Sequence, residues 1–194
     1  MFKYLIPLFL CLFTFPGTRV LAQNQEVAVP VANSLHSLQT DLNGLFYVHE
    51  RGLNEELTLR IEAGIKQAFR TRTIIPVINV YSLRPVVTIE PRYYYNLAKR
   101  AAKEKNTDNN SGNFVGFAAS YEPDFVFNSD DNSVRGRSVL TLMPHWGIRR
   151  QLGRHFDFEF TAGLKRSYTK TGGSNQIVRG NRCVDLGVRF GYRF

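Results

Sequence analysis

The sequence predicts an all-β protein, an antiparallel up-and-down transmembrane β-barrel of eight strands. Three observations predict it. Apolar and polar residues alternate with period two through segments of about ten residues or more, an export signal stands at the N-terminus, and the chain stops on an apolar-face aromatic, Phe194. Length and composition narrow the field in the same direction. At 194 residues the chain is one domain's worth, and a 43% hydrophobic content is too high for a disordered protein. The only long apolar run lies at the extreme N-terminus, which excludes a helical membrane protein, and two cysteines exclude a disulfide scaffold or a four-Cys zinc site.

Residues 1–22 read as a signal peptide. Lys3 supplies the basic start, Leu5 to Phe15 the apolar stretch, and Val20-Leu21-Ala22 the small residues before the cut, leaving Gln23 first. A membrane anchor is disfavoured because Pro7 and Pro16 bracket an apolar stretch well short of the roughly 20 residues a helix needs to span. Cys11 follows Leu10 in mid-run, which is the wrong place for a lipoprotein acylation site. Loss of Lys3 and Arg19 leaves 23 basic against 16 acidic residues, a mature chain of about +7 with Cys183 as its single thiol. Residues 23–194 then form one barrel domain, with 23–37 weakly patterned.

The C-terminal segment shows the dyad most clearly. Val184, Leu186, Val188, Phe190, Tyr192 and Phe194 alternate with Cys183, Asp185, Gly187, Arg189, Gly191 and Arg193. The same pattern runs through His155 to Lys165, Leu140 to Arg149, Val115 to Phe125, Val87 to Leu97 and Leu57 to Lys66. A seventh segment, Leu38 to Arg51, alternates less cleanly around Leu42, Phe46 and Val48. Single-chain barrels use an even number of strands, so one is missing. Glu26 to Leu35, with Val27, Val29 and Val31 around Pro30, and Ile74 to Tyr81 compete for it. A soluble sandwich shows similar alternation with its faces reversed. Tyr93, Tyr95, Trp146, Tyr121, Tyr168 and Tyr192 lie toward strand ends, where a membrane barrel carries aromatic girdles, and this favours the barrel.

The ending Val188-Arg189-Phe190-Gly191-Tyr192-Arg193-Phe194 resembles the C-terminal signature of Gram-negative outer-membrane β-barrels. In those proteins a terminal Phe, with alternating apolar residues upstream, is read by the barrel-assembly machinery. Phe190, Tyr192 and Phe194 are the matching positions here. The stretch Glu90-Pro91-Arg92-Tyr93-Tyr94-Tyr95-Asn96-Leu97, followed by Lys99-Arg100 and Asn109-Asn110-Ser111-Gly112-Asn113, looks like a small outer-membrane barrel family without an assigned activity. The likeness covers roughly residues 38–194. It implies fold and an outer-membrane location, and it carries over no catalytic residue.

The connections read as two-sided. Gly52 to Glu56 and Gln151 to His155 are tight turns, while Arg70 to Arg84, Asn128 to Arg137 and Lys170 to Arg182 read as long outer loops. Counting back from a periplasmic C-terminus puts Ala98 to Gly112 on the short-turn side, with a single helical turn expected at its start.

With the apolar face outward, Arg60, Glu62, Glu90, Arg92, Arg149, Asp157, Glu159, Asp185 and Arg189 share the lumen with Lys66, Lys165 and Arg193. An eight-stranded barrel is just wide enough for side chains to fill it, and charges there must pair. A lumen ion-pair network is therefore expected, and a small polar pore or ligand site is the alternative. Catalysis is not expected. His145 and His155 have lumen parity but point to the periplasmic half, His49 and Ser120 have no partner by spacing, and no motif calls for a cofactor or metal. Asp130-Asp131-Asn132 reads as a solvated turn.

Basic residues are dispersed along strands, which argues against nucleic acid. Lys99, Arg100, Lys103 and Lys105 form one cluster on a turn, and Arg135, Arg137, Arg179 and Arg182 are placed to meet lipopolysaccharide phosphates. The expected partners are outer-membrane lipid, lipopolysaccharide and the assembly machinery. Two functions stand against each other: a non-catalytic envelope-structural or surface-interaction barrel, and a narrow porin-like channel. A soluble exported barrel with an apolar ligand core is the third possibility and predicts purification without detergent.

Overall fold

The computed structural model describes residues 29–71, 78–125, 127, 137–171 and 177–194. Eight strands follow in chain order: β1 (Ser34–Asp41), β2 (Gly44–Gly52), β3 (Leu57–Thr71), β4 (Ile78–Tyr94), β5 (Asn113–Glu122), β6 (Arg137–Leu152), β7 (Phe156–Thr171) and β8 (Ile177–Arg193). Each pairs antiparallel with its neighbours, and β8 returns to β1 from Ser37↔Arg193 to Thr40↔Phe190, so the sheet is a closed barrel. Over those four pairs closure satisfies backbone groups that an open sheet would leave on its edges, and the upper part of β8, from Ile177, runs on beyond the end of β1.

The eighth strand comes from neither segment proposed for it. Within 26–35, only 29–35 are described, and strand there begins at Ser34; Ile78 to Tyr81 belong to the start of β4. The untidy segment Leu38 to Arg51 is instead two strands around a tight turn, with Asp41 facing Gly44 across it. The Asp41 side chain accepts a hydrogen bond from the Asn43 amide at 2.7 Å, which closes the turn locally. The split also reverses the parity of β2. Phe46 and Val48 point into the barrel with Glu50, while Leu45 and Tyr47 face out.

Two of the long loops expected from sequence are mostly strand. β3 continues to Thr71 and β4 begins at Ile78, while β7 runs to Thr171 and β8 begins at Ile177. At the β7–β8 end Lys170, Ile177, Val178 and Arg179 are exposed, and strand with no buried face needs no apolar alternation. Residues 128–136, with the Asp130 to Asn132 turn and Arg135, lie outside the described residues, as does the signal segment.

The opposite end carries the first and last described residues, the turns 53–56 and 153–155, and the insertion 95–112. That insertion holds a one-turn helix, α1 (Leu97–Ala101), as expected, and a 3₁₀ turn over Asp108–Asn110. Asn109 and Asn110 have φ of 52° and 61°, the left-handed region that asparagine tolerates better than most residues. This bend brings Asn110 beneath the barrel, where its Oδ1 accepts from the Ala32 amide at 2.7 Å. Val31, Tyr94, Leu97 and Phe114 pack together there as an apolar plug.

The distribution of polarity is inverted relative to a water-soluble domain. Among the described residues, seventeen buried side chains are polar or charged and eight are apolar. The outer wall carries Ile61, Val87, Ile89, Val115, Phe117, Leu164, Leu186 and Phe190, each more than 40% exposed. Tyr93, Tyr95, Tyr192 and Phe156 lie on the outer wall toward the terminal end, and Tyr121 and Tyr168 toward the other.

Candidate functional site in the barrel interior

Alternation places residues i and i+2 of a strand on one face, so Arg60/Glu62, Glu90/Arg92 and Asp157/Glu159 all project inward. Register then sets Arg60 opposite Glu90, Arg149 opposite Glu159, and Glu159 opposite Arg189. Glu159 is the hub. It accepts from Arg92 Nη2 and Nη1 at 2.7 and 2.9 Å and from Arg60 Nη1 at 3.2 Å. Arg60 also donates to Glu62 at 2.8 Å and to the Gln39 carbonyl at 2.6 Å, and Arg92 Nε donates to Glu90 at 2.6 Å. Arg189 extends the chain through Glu62 at 2.7 Å.

A second branch lies nearer the terminal end. Arg149 donates to Glu50 at 2.6 Å, and Tyr94 Oη and Asn110 Nδ2 reach the other oxygen of Glu50 at 3.0 and 2.9 Å. Asp157 bridges this branch to Gln39 at 3.3 Å and to Arg193 at 3.7 Å. Five carboxylates (Glu50, Glu62, Glu90, Asp157, Glu159) thus meet five arginines (Arg60, Arg92, Arg149, Arg189, Arg193) in the interior. Isolated charges would be prohibitive in such a site, whereas paired and hydrogen-bonded ones are tolerated.

Eight of the nine lumen residues read from sequence belong to this network: Arg60, Glu62, Glu90, Arg92, Arg149, Asp157, Glu159 and Arg189. Asp185 does not. It pairs with Lys165 at 2.5 Å in a separate, part-exposed bridge nearer the open end. Sequence reasoning missed Gln39, which lies on the expected inward parity of β1 but carries no charge to mark it, and Glu50, which lies in β2 where the parity was misread. The Asn43-Gly44 dipeptide, a standard hairpin signal, was the clue that resolves it.

Two phenylalanines brace the network in the same way. Phe46 lies over its register partner Gly64, and Phe114 over Gly147. A Cβ on Gly64 would fall 2.4 Å from Phe46, and one on Gly147 2.3 Å from Phe114, so each ring needs the bare backbone beneath it. The guanidiniums of Arg189, at 4.6 Å from the Phe46 centroid, and Arg92, at 4.1 Å from that of Phe114, also pack against these rings.

Above the network, toward the β1–β2 turn, an open cavity of about 550 Å³ is lined by Glu62, Lys66, Ser120, Glu122, Thr141, Lys165 and Asp185. Its floor includes Glu90, Arg92, His145 and Glu159. No known protein family, curated protein or solved structure matches this chain. The chemistry of the cavity therefore has to be read from its own residues. His145 stands mid-strand, with Nε2 2.8 Å from Glu90 and Nδ1 3.1 Å from the Met143 carbonyl, so both ring nitrogens are engaged. Ser120 is 2.9 Å from Thr88, and His155 sits in the β6–β7 turn against Tyr192. His49 is on the outer wall beside His36, with ring centroids 4.4 Å apart. His36 adjoins two hydroxyls, Tyr47 Oη at 2.7 Å from Nδ1 and Ser34 Oγ at 3.3 Å from Nε2, on the outer wall away from the cavity. Among the described residues no group of three or more His, Cys, Asp or Glu is placed to hold a metal.

Proposed function

We propose that the protein is a non-catalytic outer-membrane barrel with an envelope-structural or surface-interaction role, exported by a cleaved signal over residues 1–22. The observation that carries this reading is the inverted polarity. A charged interior whose arginines 60, 92 and 149 are at most 1% exposed is combined with an aliphatic and aromatic outer wall. In water such a wall is a large unpartnered apolar surface; against hydrocarbon it is the favourable face. Closure of β8 onto β1 from Ser37↔Arg193 to Thr40↔Phe190 supports the same reading, since a barrel pairs backbone groups that lipid cannot satisfy. The terminal Phe194 and the outward Phe190 and Tyr192 fit the role of an assembly signal.

The narrow-channel reading draws on the open cavity, and the buried network and the apolar cluster of Val31, Tyr94, Leu97 and Phe114 beneath it weigh against it. Fractionation of expressing cells, with heat-modifiable gel migration as readout, tests the location. The full chain is expected in the outer membrane, with the amount reduced by deletion of Phe194. A soluble periplasmic protein indifferent to that deletion would overturn the reading. Planar-bilayer conductance indistinguishable from background is expected, and stable unitary currents would make the protein a channel.

A further inference from the structure

Near the open end of the barrel, three arginines stand on the outer wall. Arg166 of β7 and Arg182 of β8 are register partners on that wall, and Arg179 follows one bulge further up, opposite Tyr168. The Arg166 and Arg179 guanidiniums lie 5.7 and 6.0 Å from the Tyr168 ring centroid. Like charges set directly opposite one another on a sheet repel. Among the described residues no carboxylate pairs with any of the three, and Arg166 Nε is buried without a hydrogen-bond partner. The connecting segment 172–176 contains no acidic residue. Below them on the same wall are Leu164, Val184 and Leu186, 61–70% exposed.

Height on the wall decides what meets this cluster. Arg182 is ten residues from Tyr192 along β8. At about 3.3 Å per residue and a tilt of about 40°, that separation is about 25 Å along the barrel axis, the height of the apolar band of a membrane barrel. Tyr192 at one interface therefore puts Arg182, Arg166 and Arg179 at the other, level with lipid headgroups.

We propose that Arg166, Arg179 and Arg182 form a binding site for the phosphates of a phosphorylated glycolipid in the outer leaflet, with Tyr168 holding two of the guanidiniums in place. The planar arginine fork matches phosphate oxygens in a bidentate way, and an anion there relieves the opposition of Arg166 and Arg182. The inference rests on the membrane placement proposed above.

The test refolds the full chain and the R166S/R179S/R182S variant into neutral phospholipid vesicles containing a minor fraction of either diphosphorylated lipid A or its dephosphorylated form. Heat-modifiable migration first scores insertion, and lipid A retained after extraction and gel filtration then scores binding. Each arginine near a charged lipid surface contributes about a fivefold gain in affinity, so the triple variant is expected to bind about a hundredfold more weakly. The dephosphorylated lipid is expected to bind neither chain. Equal retention by both chains, or of both lipids, would overturn the site while leaving the barrel intact. Failure of the unsubstituted chain to insert would overturn the membrane placement and this site with it. Should the triple variant fold poorly, the single R182S change is expected to lower retention about fivefold, and no change would reject the proposal.

Discussion

Glu159 shows why one side chain can decide the state of the interior. It is 2% exposed at the floor of the cavity and holds two guanidiniums that are themselves at most 1% exposed, so solvent does not readily take its place. Replacing it by Gln keeps the volume and removes the charge. Breaking a buried pair from one side costs about 3–5 kcal/mol because the uncompensated partner stays buried. Glu159→Gln is thus expected to lower the unfolding free energy by that amount, read as a fall in the urea midpoint of Trp146 fluorescence for the protein refolded in micelles. The Lys165–Asp185 pair provides the contrast. Its side chains are 38% and 32% exposed, and a solvated pair contributes about 0–1 kcal/mol, so Asp185→Asn is expected to leave the midpoint nearly unchanged. Equal effects of the two changes would mean that the interior is wetter than its packing implies.

The strands show how much of this was legible in the sequence. From β3 to β8 the dyad placed Arg60, Glu62, Glu90, Arg92, Arg149, Asp157, Glu159 and Arg189 on one face, and the structure sets them together. In β2 the same reasoning failed, since it assumed that apolar residues face outward. Phe46 and Val48 face inward because a lumen packed with arginine stems and guanidinium planes also has room for flat apolar surface. The side-chain period is two, so missing the two-residue turn at Leu42-Asn43 inverted the parity. The connections misled for a different reason. Sequence polarity separates buried from exposed residues, and it cannot distinguish a loop from a hairpin standing in solvent. The paired stacks of Gly, Phe and Arg were likewise invisible, because they depend on register. They make an element-level prediction. Gly147→Ala drives a Cβ into the Phe114 ring that supports Arg92, and overpacking of this kind costs about 1–3 kcal/mol. The urea midpoint is expected to fall accordingly, and the double change with Phe114→Leu, which clears the space, is expected to lose less than the sum of the two single changes. Strict additivity would show that the ring and the glycine are not coupled.

At the scale of the whole molecule the two ends differ in kind, and this difference predicts orientation. The terminal end is shut by Val31, Leu97 and Phe114 and by the Asn110 bonds to Glu50 and Ala32, with the exposed Lys103 on its outer surface. The other end opens into the polar cavity. Cys183 is exposed near that opening, as the register partner of Lys165, which lines the cavity. The proposed outer-membrane placement, with Phe194 on the periplasmic side, requires the cavity and Cys183 to face the cell exterior. A membrane-impermeant maleimide added to intact cells is therefore expected to label Cys183. In a Cys183→Ser background, Lys103→Cys is expected to react only after the envelope is permeabilised. The opposite pattern would turn the barrel over and put the arginine cluster in the inner leaflet. Reaction of both thiols in intact cells would mean that the protein does not partition the two compartments, which a closed barrel seated in the outer membrane must do.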